Sequence, residues 1–314
     1  MRKVFIINPF AGKEKIQKDL ISQLNQREIK YYVTAYAGEA TEIARKEAMV
    51  GDEVTIYSCG GEGTNYEVVN GVFGMDNVTL GIVPCGTGND FIKYFKDKEA
   101  FLNIDNQFEG RTFYIDAIKV TLDGDKTIYS INSCSAGMDA MVCENTDMFK
   151  KIPMISSSLA YTMAIPYTLF QPFKNKLDFV IDGKEMSGIP SLFAVIANAP
   201  YYGGGYMCAP CANPSDRKLN YSIIATASKL KMVTVLDKYK KGTHIDLPFT
   251  YSGTCEAMEY KSDSKVAFNI DGEVFHIKHA KCEVVKNAIK LKLPKTIADE
   301  FEEKLTSIKE PQLA

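Results

Sequence analysis

The ten residues Ser58–Glu67, SCGGEGTNYE, place three glycines and a carboxylate directly after an apolar run. That run, Val54–Tyr57, is typical of a buried strand, and the residues after Thr64 are typical of a helix. Glycines at such a junction let the chain turn tightly and leave backbone N–H groups uncovered for an anion. The start of the following helix adds unpaired donors and partial positive charge. The stretch predicts a phosphate-facing loop, with a plain tight turn as the alternative.

A second loop of the same kind follows the next strand. PCGTGNDF, Pro84–Phe91, comes after the apolar run Leu80–Val83 and before another helical stretch. Because the carboxyl ends of consecutive parallel strands face one crevice, both loops are expected to approach the same phosphates. Their threonines could donate to phosphate oxygens and their acids could hold a cation that screens the phosphate charge. These side chains are Thr64, Thr87, Glu62 and Asp90.

Strand-like and helix-like segments alternate along the chain up to about Phe113. Such alternation predicts a parallel sheet with helices on both faces. After Phe113, strand candidates follow one another and Asp-Gly pairs mark several turns, which favours an antiparallel sandwich. Helical insertions are expected near 139–170 and 228–238.

We therefore predict an N-terminal α/β domain over residues 1–120 and a C-terminal antiparallel β-sandwich domain over residues 121–294. Apolar residues at helical spacing between Lys295 and Ile308 indicate an amphipathic helix in the tail 295–314. That helix is expected to pack on the first domain.

The composition argues against several classes of protein. The formal net charge of -2 gives no electrostatic reason to expect a nucleic-acid partner. No uninterrupted apolar segment approaches the roughly 20 residues of a membrane span, and the first apolar run is too short for a signal peptide. The eight cysteines are expected to be reduced thiols of a cytoplasmic protein. Cys208 and Cys211 lack a second pair at zinc-binding spacing, so a loop is the simpler interpretation.

The two glycine loops resemble those of a known family. GGEGTNYEVVNG followed by GIVPCGTGNDF is similar to the catalytic domain of the diacylglycerol kinase family, which usually has GGDGT, N-E-V-x-N-G and P-x-G-T-x-N-D-F. The resemblance is closest to the soluble bacterial diacylglycerol and lipid kinases, which also resemble sphingosine kinases. Further segments match family elements in the same order: Asn8–Gly12, Thr34 with Gly38–Ala40, Asn132–Ala140, Asn198–Gly205 and Asp271–Glu273.

The resemblance implies a nucleotide-binding α/β domain plus a β-sandwich domain, with the active site in the cleft between them. It implies ATP as phosphoryl donor and Mg²⁺ as its accompanying cation, near Asp90 and Asp116. An acid inside a strand could also simply cap a sheet edge, which is the alternative for Asp116. The residues expected to contact ATP are Asn8, Pro9, Gly12, Thr34, Gly60, Gly61, Glu62, Gly63, Thr64, Asn65, Tyr66, Thr87 and Asn89.

The segment Asp271-Gly272-Glu273 lies between two alternating runs and by spacing alone favours a hairpin turn. The resemblance implies that it supplies the base. An alcohol is a poor nucleophile at neutral pH, so a carboxylate should accept its proton during phosphoryl transfer. We take Glu273 as the acceptor and Asp271 as the residue that orients it or shares the work. The sequence does not choose between them.

A second, structural Mg²⁺ is often held in this family by a turn of the sandwich domain. The matching segment implies Asp216 as the ligand, with the backbone carbonyls of Asn213 and Lys218. Arg217 stands where the family usually has glycine. If that position needs a positive φ, arginine would strain it by about 1 kcal/mol or more, which puts metal binding there in doubt.

The resulting hypothesis is an ATP- and Mg²⁺-dependent lipid kinase. The acceptor is a lipid alcohol, most simply diacylglycerol, which would give phosphatidic acid. We expect a cytoplasmic protein that makes transient peripheral contact with a membrane surface and could form a homodimer. The apolar stretch Met154–Phe173 could line a groove for acyl chains or form core.

Two alternatives stay open. NAD kinase shares the logic of the first glycine loop, but it explains neither GTGNDF nor the late Asp-Gly-Glu segment. A lipid- or nucleotide-binding protein of the same fold with impaired catalysis is the other, because Glu62 and Arg217 depart from the family pattern.

Overall fold

A computed structural model describes residues 1–12, 14–152, 155, 157–171, 176–225 and 229–309. The chain forms two compact units. Unit 1 comprises Met1–Ile115 and Ala288–Ala314, and unit 2 comprises Asp116–Asn287. The chain therefore leaves unit 1 at Ile115 and returns to it at Ala288.

Unit 1 begins with alternating strands and helices and ends with a helix. Its strands are β1 Arg2–Ile7, β2 Lys30–Val33, β3 Val54–Gly60 and β4 Val78–Pro84. Its helices are α1 Glu14–Gln26, α2 Glu39–Ala48, α3 Glu62–Val72, α4 Asp90–Lys93, α5 Lys98–Leu102, α6 Ile104–Glu109 and α10 Lys295–Lys309. Two strands belong partly to each unit, β5 Arg111–Leu122 and β15 Glu273–Leu293.

The first four strands form a parallel sheet in the order β4-β3-β1-β2. All residues of β3 and β4 are buried, as expected for parallel strands covered by helices on both faces. Phe5 stacks on Tyr57 at a centroid distance of 4.3 Å, and Leu20 and Leu24 of α1 pack in the same cluster. The predicted parallel α/β architecture is confirmed.

Helix α10 packs on unit 1 through Phe301. The Phe301 ring contacts those of Tyr94, Phe95 and Phe113 at centroid distances of 6.5, 5.8 and 5.2 Å. Arg111 pairs with both Asp299 and Glu302 of this helix at 2.9 Å. The part of the predicted tail beyond Lys309 lies outside the described residues.

Unit 2 consists mostly of strands. After β5 come β6 Lys126–Ser130, β7 Ser133–Gly137, β8 Lys176–Ile181, β9 Lys184–Ala197, β10 Tyr201–Tyr202, β11 Tyr206–Met207, β12 Leu219–Ala225, β13 Thr250–Cys255 and β14 Ala257–Ile270. Its helices are α7 Met138–Lys150, α8 Ser157–Phe170 and α9 Lys229–Lys241, followed by the 3₁₀ helix Thr243–Asp246.

The strands of unit 2 pair antiparallel in the order β13-β12-β9-β7-β14-β15. The long strands β9 and β14 pair with β7 through their C-terminal halves and with β8 through their N-terminal halves. They therefore pass from one layer to another, and a register shift between Lys261 and Val266 marks the irregularity in β14. The predicted antiparallel, sandwich-like domain with helical insertions is confirmed.

Helix α8 carries most of the apolar stretch Met154–Phe173, of which residues 154, 156, 172 and 173 lie outside the described part of the chain. The face of α8 formed by Ala160, Ala164 and Thr168 is buried. Asn145 of α7 donates to Thr168 Oγ1 at 2.8 Å, which fixes this face toward α7. Over the described residues, no helix combines the length and apolar character that a membrane span requires.

Candidate active site

Three loops of unit 1 meet at the carboxyl ends of β1, β3 and β4. In the β3–β4 pair Gly60 lies opposite Pro84, and Gly86 N–H donates to the Gly60 carbonyl at 2.9 Å. A Cβ on Gly86 would lie 2.7 Å from Gly61 Cα, so the second and third loops touch through their backbones. A Cβ on Gly12 would lie 1.7 Å from the Cys85 carbonyl oxygen, so the first loop touches the third. Glycine is required at these positions because the backbones are too close for a side chain.

Two of the predicted ATP residues bind each other across the loops. Asn8 Nδ2 donates to Thr64 Oγ1 at 3.1 Å, and Asn8 Oδ1 accepts from Phe10 N–H at 2.9 Å. Thr64 is buried, and a Cβ on Gly60 would lie 2.1 Å from its hydroxyl. Asn65 is also buried and accepts from Ser58 Oγ at 2.7 Å. These side chains fix the junction of β3 and α3 through hydrogen bonds within the protein.

The carboxylate of Glu62 connects the two glycine loops. Glu62 Oε1 accepts from the backbone N–H of Asp90, the first residue of α4, at 2.5 Å. A Cβ on Gly88 would lie 3.0 Å from Glu62 Oε2, so Gly88 leaves room for this carboxylate. Burial and the neighbouring Asp90 carboxylate raise the pKa of Glu62. The longer side chain of glutamate therefore reaches from the second loop to the third, Pro84–Phe91, and braces it.

The third loop, Pro84–Phe91, is closed by the side-chain amide of Asn89. Asn89 has a φ of 49°, in the left-handed region that asparagine tolerates better than most residues. Its Nδ2 donates to the Pro84 carbonyl at 3.3 Å and also to the Gly86 carbonyl. Thr87 lies exposed at the tip of this loop.

The remaining predicted ATP residues lie around the same sheet edge. Thr34 follows β2, is buried, and donates its N–H to the Ile7 carbonyl at 2.9 Å. Pro9 is in the first loop, and Gly63 and Tyr66 are half-buried in the first turns of α3.

Glu67 is a supporting residue that the sequence interpretation did not single out. It lies on α3 and accepts from Gly38 N–H at 2.8 Å and from Ala40 N–H at 3.1 Å, at the start of α2. Thr41 Oγ1 donates to the Glu67 carbonyl at 2.9 Å. Glu67 thus satisfies N–H groups that would otherwise lack partners at this helix start, where Gly38 supplies no side-chain cap. The sequence signal that could have identified Glu67 is its match to the glutamate of the family element N-E-V-x-N-G.

Glu62 and Asp90 are the two acids of the glycine loops for which the sequence predicts a cation-binding role. Their carboxylates are close enough for Asp90 to raise the pKa of Glu62, and Lys93 Nζ lies 2.5 Å from Asp90 Oδ1. Mg²⁺ commonly takes only one or two protein carboxylates and completes its shell with phosphates and water. Among the residues the structure describes, no group of three or more His, Cys, Asp and Glu side chains could hold a metal by itself.

Asp116 organises a turn of unit 2. Its carboxylate accepts from Arg217 N–H at 2.6 Å and from Asn287 N–H at 2.8 Å, while its own N–H donates to the Pro214 carbonyl at 2.6 Å. Arg217 has a φ of 66°, so this turn does need a positive φ at the position where the family has glycine. The bond to Asp116 holds arginine there despite the strain.

The proposed ligands of the second Mg²⁺ lie in the same turn. Asp216 Oδ1 accepts from Lys218 N–H at 3.0 Å, and Asn213 Oδ1 accepts from Ser215 N–H at 3.0 Å. Burial, with a smaller contribution from Asp116, raises the pKa of Asp216. The turn is thus closed by its own hydrogen bonds, and metal binding there stays a prediction.

Asp271 and Glu273 follow one another across the β14–β15 turn but have different surroundings. Asp271 is buried and its φ is 48°. Its Oδ1 accepts from Ser130 Oγ at 2.7 Å and Ser133 N–H at 3.0 Å, and its Oδ2 accepts from Ile131 N–H at 3.3 Å. Burial outweighs these bonds and raises the pKa of Asp271 to about 6. Glu273 is exposed at the start of β15.

A third acid of unit 2, Asp139, lies in a cavity between helices and strands. It is 6% exposed, and neither carboxylate oxygen meets a donor in hydrogen-bond geometry. Burial raises its pKa to about 6, although Ser135, Ala140 and Tyr202 lie near enough to offset part of the shift. The other cavity residues are almost all apolar or aromatic: Met138, Val142, Ile165, Phe193, Tyr202, Tyr206, Leu236 and Tyr239. The sequence interpretation quoted the motif around Asp139 without giving the residue a role.

Comparisons with known proteins agree with this architecture. The chain matches the family model "Diacylglycerol kinase catalytic domain" over residues 2–120 and "YegS C-terminal NAD kinase beta sandwich-like domain" over residues 132–293. It is 30% identical over 282 residues to "Diacylglycerol kinase" of Bacillus subtilis (strain 168), covering 87% of this chain and 89% of that protein. It is 26% identical over 291 residues to "Putative lipid kinase YtlR" of the same organism, covering 86% and 92%.

A solved structure shows the same fold. The "Crystal structure of a putative diacylglycerol kinase from Bacillus anthracis str. Sterne" superposes with a TM-score of 0.72 at 17% identity, covering 94% of this chain and 98% of that chain. At that identity the likeness supports the fold alone. The family models and the 30% identical relative show that this chain belongs to the diacylglycerol kinase catalytic-domain family.

Proposed function

We propose that this protein is a lipid kinase that transfers the γ-phosphate of ATP to the hydroxyl of a lipid alcohol. Diacylglycerol is the first candidate acceptor, and its product would be phosphatidic acid. The observation that carries the proposal is the convergence of three loops at the carboxyl ends of β1, β3 and β4, with backbones too close for side chains. Family membership and relatives named as lipid or diacylglycerol kinases support the acceptor class.

The loops suit the phosphates of ATP because they offer backbone N–H donors. In phosphoryl transfer, charge lies on the phosphoryl oxygens, and catalysis consists mainly of positioning and electrostatic stabilisation. The start of α3 lies in the second loop and adds unpaired N–H groups with partial positive charge. The Asn8–Thr64 and Glu62–Asp90 bonds keep the three loops together before the nucleotide binds.

Mg²⁺ would be held by Glu62 and Asp90, with Asp116 as a further proposed residue. When bound, it would neutralise charge on the phosphate oxygens. The observation in favour is the proximity of two carboxylates: burial, and then the Asp90 charge, raise the pKa of Glu62, and a cation would relieve the repulsion between the two acids.

The proton of the acceptor hydroxyl would go to the pair Asp271 and Glu273. Glu273 is exposed and therefore accessible to an acceptor, which keeps it as our proposed proton acceptor. Asp271 is fixed by three donors and has a pKa of about 6, close to the value that suits a general base near neutral pH. Orientation or shared proton acceptance by Asp271 is consistent with both features.

The test is transfer of labelled γ-phosphate from ATP with Mg²⁺ to a panel of lipid alcohols in mixed micelles. The panel contains diacylglycerol, monoacylglycerol and a long-chain base, with NAD as a soluble acceptor. Labelled lipid, absent from the Glu273→Ala reaction, is the expected result. Label only on NAD would replace the proposal with NAD kinase. ATP binding without transfer to any acceptor would favour a binding protein that has lost catalysis.

A further inference from the structure

Lys93 lies against the two acids of the glycine loops in unit 1. Its Nζ is 2.5 Å from Asp90 Oδ1. The side chain of Asp90 is 3% exposed, whereas that of Lys93 is 36% exposed. The carboxylate is therefore enclosed by the protein, and the ammonium reaches it from the solvent side. Of these two partners, Lys93 is the one that can leave the contact without disturbing the packing around it.

The two acids are held in place by hydrogen bonds to the backbone. Glu62 Oε1 accepts from the backbone N–H of Asp90 at 2.5 Å, which joins the acids to one another. Asn89 Nδ2 donates to the Pro84 carbonyl at 3.3 Å and holds the turn before Asp90. The ammonium of Lys93 is instead carried on a long, flexible stem. A change of ionic partner at this place would therefore be made by the lysine.

The Asp90–Lys93 pair does not join distant segments of the chain. Both residues belong to α4, a helix of four residues, and they are three positions apart. Ion pairs at this spacing add little to the stability of a helix. The pair therefore matters less as a brace than for the positive charge that it brings to the acids.

Glu47 of α2 shows how a structural acid is satisfied in the same unit. Its side chain is also 3% exposed, and it pairs with Arg2 of β1 and, at 2.6 Å, with Lys30 of β2. One carboxylate there meets two cations and joins three elements. In the contacts described for the glycine loops, two carboxylates share the ammonium of Lys93. The excess negative charge that remains attracts a further cation.

An ammonium and Mg²⁺ are alternative partners for the same carboxylate. Mg²⁺ binds through one or two carboxylates together with phosphate oxygens, and its double charge favours it over an ammonium. Lysine in turn binds phosphate well as a point charge. Lys93 follows the loop Pro84–Phe91, which we propose contacts the phosphates of ATP. An ammonium displaced from Asp90 would therefore have a second anionic partner nearby.

We propose that Lys93 is an internal counter-ion that exchanges partners during nucleotide binding. Its ammonium neutralises Asp90 before a divalent cation binds, leaves Asp90 when Mg²⁺ binds, and then contacts a phosphate oxygen of ATP. This inference rests on the proposed function, because it assumes that Mg²⁺ and ATP bind at these loops. It concerns binding alone, so it is tested without phosphoryl transfer and can fail separately.

The first experiment measures Mn²⁺ binding without nucleotide by electron paramagnetic resonance, since carboxylate sites that suit Mg²⁺ also take Mn²⁺. The test variant is Lys93→Met, which keeps the stem and removes the ammonium. Its matched control is Lys98→Met, which removes the same charge from an exposed residue at the start of α5. We expect Mn²⁺ to bind Lys93→Met about five-fold more tightly than the wild type, because no ammonium competes for Asp90. The control should bind Mn²⁺ like the wild type.

The second experiment measures the binding of Mg²⁺–ATP by calorimetry. We expect Lys93→Met to bind it about five-fold more weakly, because the phosphate contact is lost. Lys93→Arg keeps the charge and should restore both affinities, and Lys98→Met should again resemble the wild type. Tighter Mn²⁺ binding together with weaker nucleotide binding indicates exchange, since loss of a simple brace would weaken both.

The exchange can also be followed in the wild type by acetylation with acetic anhydride and mass spectrometry. Lys93 should react faster when Mg²⁺ alone is added and more slowly again when ATP follows, while the rate at Lys98 stays constant. An acetylation rate of Lys93 that Mg²⁺ leaves unchanged would overturn the inference.

The binding results can overturn it in three further ways. These are no Mn²⁺ binding by the wild type, Mn²⁺ binding by Lys93→Met that is equal or weaker, and the same changes in Lys98→Met. Unchanged or tighter binding of Mg²⁺–ATP by Lys93→Met would remove the phosphate contact and with it the exchange. If all binding results are as expected but no phosphoryl transfer occurs, the proposed function alone is wrong.

Discussion

The glycine loops of unit 1 and the Asp271 turn of unit 2 both place a carboxylate against backbone N–H groups, but for different ends. In unit 1, Glu62 joins two loops whose backbones touch at glycines. In unit 2, three donors from one segment fix Asp271, and burial brings its pKa to about 6. The loops of unit 1 therefore require glycines, which have no side chain, where their backbones touch. The turn of unit 2 instead holds one carboxylate, that of Asp271, whose protonation changes near pH 6.

The largest expected effect is that of Gly12→Ala. The new Cβ would lie 1.7 Å from the Cys85 carbonyl oxygen, so the first and third loops must separate. We expect ATP affinity to fall by about 100-fold or more, measured by calorimetry, together with a lower Tm. Gly74→Ala is the control, because Gly74 has a similar positive φ of 79° but open space at its Cβ. Equal effects of the two variants would show that φ, and not close approach, selects glycine at Gly12.

Next is Glu273→Ala, which should lower kcat by about 100-fold and leave ATP affinity unchanged, the size expected for a lost general base. Glu283→Ala, on the same strand, removes an acid that pairs with Lys281 and should keep normal turnover. Unchanged turnover of Glu273→Ala would shift the role to Asp271. In that case kcat should fall about ten-fold per pH unit below pH 6, because the base must be deprotonated to act.

Asp139→Asn should change the free energy of unfolding. The folded-state pKa of about 6 is above the unfolded value, so the ionised form is disfavoured in the folded protein. The resulting loss of stability develops as pH rises from about 4 to 6 and is complete above pH 6. We therefore expect the variant to be more stable than the wild type by roughly 1–3 kcal/mol at pH 7, and equally stable near pH 4. Urea unfolding at both pH values measures this. A less stable variant at pH 7 would mean that the carboxylate binds a cation or another donor.

The smallest effect is expected for Glu62→Asp, which restores the residue usual in the family. The shorter side chain would fall about 1.5 Å short of the Asp90 N–H, because it lacks one C–C bond. We expect a few-fold lower turnover and a slightly lower Tm, since one brace between the loops is lost. A large gain in turnover would instead show that glutamate impairs the proposed catalysis.

Much of the fold could be predicted from local patterns. The alternation of strands and helices up to Phe113 and the Asp-Gly turns beyond it indicated both domains, because each signal lies within a few residues of sequence. Strand β13, Thr250–Cys255, was missed because TYSGTC is polar and lies at a sheet edge, where no burial pattern develops. The role of Asp116 at the Arg217 turn could not be read either, because the two residues are 101 positions apart.

By itself, the sequence determined where the backbones of this chain must approach one another closely. The glycines of SCGGEGTNYE and PCGTGNDF required tight strand-to-helix turns whatever their partners, since steric limits on φ and ψ are local. Only the tertiary structure decided what the carboxylates do. Glu62 braces a loop, Asp271 is fixed with a raised pKa, and Asp139 is buried without a donor. Their surroundings come from segments distant in sequence, and burial and neighbouring charge set a pKa that no local pattern records.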